Sequence, residues 1–208
     1  MKKSWPSAAA KVLLALLVAL AWAQMLTRAG GNLSSTGLRS LRYFTVLSNL
    51  LCGAAALIHL AFLLRKSVPS WVLRLSYVAA VAVGVTLMVV LLFLGPLYGY
   101  RSMLEGANLW FHLVIPLLAI LDHILLEQGE RPAFRDTLLA LLPPFLYGLG
   151  YAANLLINGF GGEWPDTNDW YLFFHWGTAV GIIIYAAILA LSWGIALALR
   201  ALGKKRAG

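Results

Sequence analysis

Six apolar runs, each about as long as a bilayer is thick, divide this chain and leave little else. A spanning helix needs about 20 mostly apolar residues. The runs lie at Ala8–Leu26, Tyr43–Leu64, Trp71–Leu94, Ala107–Leu126, Leu138–Ile157 and Tyr171–Leu199. The connections between them are short and polar. Arg28–Arg42 carries a Gly-Gly pair and a Ser/Thr cluster, Gly95–Gly106 carries Pro96, and Asn158–Trp170 carries three glycines. Such compositions mark turns and loops. The expectation is an all-α integral membrane bundle of six transmembrane helices that fills residues 1–208 as one domain.

Composition agrees with that reading. Of the 208 residues, 61% are hydrophobic and 12% charged, about half the charged share of an ordinary soluble domain. The mean hydropathy is +0.81. A net charge of +8 would suggest nucleic acid in a soluble protein. Here the charges flank apolar runs and report orientation instead. With the N-terminus inside, twelve Lys/Arg fall on the inner side and four (Arg28, Arg39, Arg42, Arg101) on the outer. Both termini are therefore expected in the cytoplasm of a cell-membrane protein, with the bilayer as partner and no nucleic acid. Lys2 and Lys3 ahead of an apolar stretch and Ala21-Trp22-Ala23 fit a secretory signal, but an uncleaved first span is the preferred reading. The single cysteine, Cys52, excludes a disulfide framework within the chain and Cys-rich metal motifs. No metal and no cofactor are expected. Asn32-Leu33-Ser34 matches a glycosylation acceptor. The Ala, Leu, Gly and Arg bias suggests a bacterial source, where that match has no meaning.

Polar side chains inside a membrane are costly and each needs a partner or a purpose. Thr45, Ser48 and Asn49 lie in the first two turns of span two, His112 in the second turn of span four, Asn154 and Asn158 at the outer end of span five, and His175 at the outer start of span six. All seven fall at one level, in the outer third of the bilayer, and aromatic residues such as Tyr43, Tyr151, Trp170 and Tyr171 ring it. A pocket is expected there. Isolated residues of these types more often join helices by hydrogen bonds. A second set, His59, Asp122 and His123, lies near the inner surface; Asp122 is expected at the interface, and the set reads as structural. Gly177-x-x-x-Gly181 is a small-residue pattern that lets helices approach. Pro143-Pro144 should loosen span five at its inner end.

The outer set suggests nucleophilic chemistry. A threonine hydroxyl becomes an effective nucleophile when an imidazole takes its proton, and Thr45 and His112 have the residue types and the depth. Asn49, Asn154 or Asn158 can donate to an oxyanion, Ser48 lies beside them, and His175 is a second candidate base. Asp122 is about 15 Å further along the helix from His112, too far to orient it. A pocket open sideways to lipid suits a substrate with acyl chains.

The segment Tyr43-Phe44-Thr45-Val46-Leu47-Ser48-Asn49-Leu50-Leu51 resembles the second-span motif of the androgen-induced-gene (FAR-17a-like) family of multi-pass membrane proteins. His112-Leu113-Val114-Ile115-Pro116-Leu117-Leu118, followed by Asp122, is similar to its fourth-span motif and follows the pattern of the bacterial branch more closely than that of the animal one. Animal members are threonine hydrolases of fatty acid esters of hydroxy fatty acids. The resemblance implies Thr45 as nucleophile, His112 as the catalytic histidine and a lipid carboxylic ester as substrate. Two other readings stand beside it. One is a non-catalytic protein that binds or transports a lipid or small molecule. The other is a haem-binding electron carrier, with His59 and His123, or His112 and His175, as axial ligands.

Overall fold

A computed structural model of the chain describes residues 5–27, 37–127, 131–163 and 166–203. Six helices in it are long and apolar enough to cross a membrane: α1 (Trp5–Leu26), α2 (Phe44–Leu64), α3 (Ser70–Tyr98), α4 (Ala107–Leu126), α5 (Phe134–Asn158) and α6 (Thr178–Leu202). The Asn32-Leu33-Ser34 tripeptide lies outside the described residues.

Helix α3 is the axis of the bundle. In its most apolar stretch 67% of the residues are buried, against 22% for α5 and 17% for α6. The cause is its side-chain size. Ala79, Ala80, Val81, Ala82, Val83, Gly84 and Val85 are all buried, and small residues let neighbouring backbones come close on every side. α2, α4 and α6 pack directly on it. One core joins the first four helices through Leu14, Val18, Val46, Cys52, Val83 and Phe111. A second ties α6 and α5 to α3 through Tyr77, Val81, Ala140, Ala196 and Leu199.

Prolines shape two of the helices. A proline has no N–H to return to the carbonyl four residues back, and its ring crowds that carbonyl. In α4, Pro116 leaves the His112 carbonyl without its usual partner, and residues Trp110–Val114 relax into a wider π turn. In α3, Pro96 follows a π turn at Val90–Leu94. A third π turn, Asp122–Leu126, closes α4 with no proline near it. In α5 the helical stretch Phe134–Leu139 stops, and the helix resumes at Leu142 with Pro143 and Pro144 in its first turn, as the Pro-Pro pair predicted.

Span six differs from expectation. It begins at Thr178 rather than Tyr171, because Tyr171–Trp176 form turns and Gly177 caps the helix at φ +97°, a conformation that favours glycine. Nor do the two glycines of the 177–181 pattern seat another helix. Gly177 serves the cap, and a side chain at Gly181 would strike the ring of Phe174 at 2.5 Å.

Candidate functional site

A cavity of about 160 Å³ opens between α2, α3, α5 and α6 under the Tyr171–Phe174 turns. Its walls are almost wholly apolar and aromatic, with Phe44, Val89, Leu94, Tyr147, Phe173 and Tyr185 among them. The hydroxyl-bearing threonines are Thr45 and Thr86. Leu149 and Ile182, also in the wall, are exposed on the outer faces of α5 and α6, so the cavity adjoins the lipid-facing surface. Beside it α5 and α6 meet closely at Gly148 and Tyr185. A side chain at Gly148 would lie 2.0 Å from the ring of Tyr185, and Tyr185 donates its hydroxyl to the Phe145 carbonyl at 2.9 Å.

The roof of the cavity is held by a carboxylate that sequence reading passed over. Asp169 is buried. It accepts the Tyr151 hydroxyl and the main-chain N–H groups of Phe173 and Phe174, both at 3.0 Å. Those N–H groups lie in turns with no helical partner, which is why a buried carboxylate is tolerated there. Tyr147 donates to the Arg42 carbonyl at 2.6 Å and accepts the Trp170 indole N–H at 3.0 Å. Arg42 lies over the rings of Tyr43 and Trp170. The expected aromatic ring at the outer level is present as this connected layer.

Of the seven polar residues assigned to one outer pocket, Thr45 alone lines the cavity. Its side chain and main chain both hydrogen-bond the Tyr171 hydroxyl, which also accepts the Phe44 N–H at 3.0 Å. Ser48 pairs with Thr86 at 2.9 Å and with the Thr45 carbonyl at 3.1 Å, joining α2 to α3. Asn49 spends both amide hydrogens on main-chain carbonyls, Thr45 at 2.7 Å and Phe111 at 3.1 Å, so no donor is left for an oxyanion. Asn158 donates to Asn154 at 3.0 Å at the end of α5, away from the cavity wall. His175 is exposed, in the turns ahead of α6. His112 is buried and bonded through Nδ1 to the Met103 carbonyl at 2.6 Å. A carbonyl only accepts, so the hydrogen is on Nδ1 and the lone pair on Nε2. This is the tautomer a base at Nε2 needs, but the ring is outside the residues that line the cavity.

The inner set is more tightly built than expected. Asp122 is buried within the bundle and forms an ion pair with Lys11 of α1. Glu127, directly after α4, receives His123 Nδ1 on one carboxylate oxygen and has His59 Nδ1 at 3.3 Å from the other. Lys11 is 3.8 Å from Glu127, and His59 also pairs with Ser76 of α3 at 2.9 Å. Burial acts to raise the Glu127 carboxyl. The hydrogen bonds of His123 and His59 and the charge of Lys11 outweigh it and hold the group down at about 2. Lys11 sits three residues after Ala8, where a lysine normally marks the membrane edge; the clue to its role was its place inside an apolar run. The space enclosed by this cluster is about 10 Å³, which leaves no room for a haem between His59 and His123. Among the described residues, no group of three or more His, Cys, Asp or Glu is arranged to hold a metal ion.

No family model, curated protein or solved structure matches this chain.

Proposed function

We propose that this six-span membrane protein binds the hydrocarbon portion of a lipid-like molecule in the cavity between α2, α3, α5 and α6. The observation that carries this reading is an apolar space of about 160 Å³ beside the lipid-facing surface. Apolar cavities near 150 Å³ stay dry and take up small apolar molecules. An alkyl segment entering past Leu149 and Ile182 would exchange bilayer contacts for packing against Phe44, Tyr147 and Phe173, while Thr45 and Thr86 offer hydroxyl groups to a polar end of the ligand. The lysine and arginine distribution supports a cell-membrane location with both termini cytoplasmic.

The position of Thr45 favours a second reading, hydrolysis of a lipid carboxylic ester, which the family resemblance also suggests. Thr45 is the residue among the proposed catalytic and pocket set that faces the cavity. In that reading Thr45 attacks the ester carbonyl as its proton passes to a base, the C–O bond of the ester breaks and the alcohol leaves with that proton, and water then releases the acid from the acyl-threonine. Tyr171 holds the Thr45 hydroxyl, and His112 would have to reach it from outside the wall.

Both readings are tested with the full-length protein in lipid nanodiscs. A photoreactive fatty acid should crosslink to the wild type, and Ala152→Phe, which fills the cavity, should abolish the crosslink. Equal crosslinking in both would refute binding at this place. A fluorophosphonate probe that labels wild type but not Thr45→Ala or His112→Ala would establish the hydrolase. Crosslinking without fluorophosphonate labelling would leave a binding or transport protein.

A further inference from the structure

The cluster at the opposite end of the bundle carries an unbalanced charge. Lys11 contributes one positive charge, and Asp122 and Glu127 two negative ones. With both imidazoles neutral the sum is −1, inside a site where Lys11, Asp122, His59, His123 and Glu127 are all at most 7% exposed. An uncompensated buried charge is expensive, and such sites recruit a counter-charge. Among the described residues, the neighbouring elements do not supply it. On α5, Asp136 is engaged by Arg74 of α3 at 3.3 Å. On α6, Arg200 turns its guanidinium to the Pro132 carbonyl at 3.0 Å. The other titratable groups facing the cluster are Tyr77 of α3, whose ring lies 5.4 Å from that of His123, and Cys52 of α2.

The geometry leaves room for one particle. His123 places its Nδ1 on Glu127, and a carboxylate accepts, so Nδ1 carries the hydrogen. Its Nε2 is buried with no hydrogen-bond partner, as is Asp122 Oδ1. Lys11, Ser76, Asp122, His123 and Glu127 share the wall of a space of about 10 Å³, close to the least that admits a water molecule.

We propose that Lys11, His59, Asp122, His123 and Glu127 form a proton-binding site that holds one exchangeable proton on its paired imidazoles. In the uptake step a hydronium ion gives up one O–H bond and leaves as water, and an N–H bond forms on imidazole nitrogen. The charge of the cluster rises from −1 to zero, with no electron transferred. Glu127 hydrogen-bonds the His123 ring and lies 3.3 Å from Nδ1 of His59, and so stabilises the cation on either one. Proton relays built from intramembrane carboxylates and histidines have this composition. The site is independent of the outer cavity and of what occupies it.

The test is ¹⁵N NMR of the full-length, histidine-labelled protein in lipid nanodiscs at pH 7, where imidazole nitrogen shifts separate neutral from cationic rings. His59→Gln and His123→Gln assign the signals. One cationic ring shared by the pair is expected, lost at higher pH with one proton and lost at pH 7 in Glu127→Gln. Two neutral rings in the wild type, or a cationic ring that persists in Glu127→Gln, would overturn the proposal. The wild-type spectrum decides even if that variant does not fold, and Asp122→Asn, which also cancels the negative charge, supplies the second comparison.

Discussion

Lys11 and Asp122, 111 positions apart, meet as an ion pair with side chains only 3% and 2% exposed. This contact ties the start of α1 to the last turns of α4. Its two partners are interdependent: without Lys11 the buried Asp122 carboxylate loses its cation, and without Asp122 the ammonium keeps only Glu127, at 3.8 Å. Lys11→Met or Asp122→Asn should each destabilise the protein by about 3–5 kcal/mol, and the double variant should recover much of that loss. Reversible unfolding in mixed micelles measures it. Additive losses in the double variant would mean that the pair does not act as a unit.

Acid should weaken the inner cluster in a defined range. The Glu127 carboxyl is depressed from an ordinary 4.5 to about 2. Its contribution to stability is therefore complete above pH 4.5 and is lost as the pH falls from 4.5 towards 2. A shift of that size corresponds to on the order of 3 kcal/mol. Unfolding curves between pH 3 and 7 should show this decline in the wild type. Glu127→Gln should be less stable at neutral pH and lack that segment of the pH dependence.

Asp169 anchors the turns that cover the outer cavity. Asp169→Ala removes the acceptor for the Tyr151 hydroxyl and for the N–H groups of Phe173 and Phe174. Hydrogen bonds to a charged group contribute roughly 1.5–3 kcal/mol each. Hydrogen exchange at the Phe173 and Phe174 amides should accelerate at least tenfold, while the amides of α3 keep their protection. Unchanged exchange at those two amides would show that the turns are held by something else.

Contact between α5 and α6 depends on the missing side chain at Gly148. A methyl group there would overlap the Tyr185 ring, so Gly148→Ala should cost about 1–3 kcal/mol through overpacking. In Gly148→Ala/Tyr185→Ala the methyl group has space, and the double variant should be no less stable than Tyr185→Ala alone. A full extra penalty in the double variant would contradict the overlap.

Hydrophobicity and length alone placed all six spans, because a bilayer imposes one requirement that each helix meets by itself. Boundaries were less legible where the amphipathic aromatic turns Tyr171–Trp176 read as apolar helix, although Gly177 marked the true start. Depth was a weaker guide to the sites. Thr45, Ser48, Asn49 and His112 do share a level, but depth says nothing about direction around a helix. Ser48 faces Thr86, Asn49 faces the Phe111 carbonyl, and Thr45 faces the cavity. Lys11 and Glu127 were hidden for a different reason. Each looked like an ordinary charge beside a membrane surface, and their role depends on residues far along the chain, Asp122 for Lys11 and His59 and Lys11 for Glu127.

The two π turns of α4, at Trp110–Val114 and Asp122–Leu126, set it apart from α1, α2 and α6, which are regular α-helix throughout. A π turn holds one residue more than an α turn, so it is what a helix becomes when a single residue is inserted and the fold is kept. Each residue of an α-helix turns the chain by about 100°. Deleting one residue from Trp110–Val114 would therefore close the turn to α geometry and leave Asp122 and His123 facing Lys11 and His59, whereas a residue lost from the regular stretch Ile115–Leu121 would rotate both away.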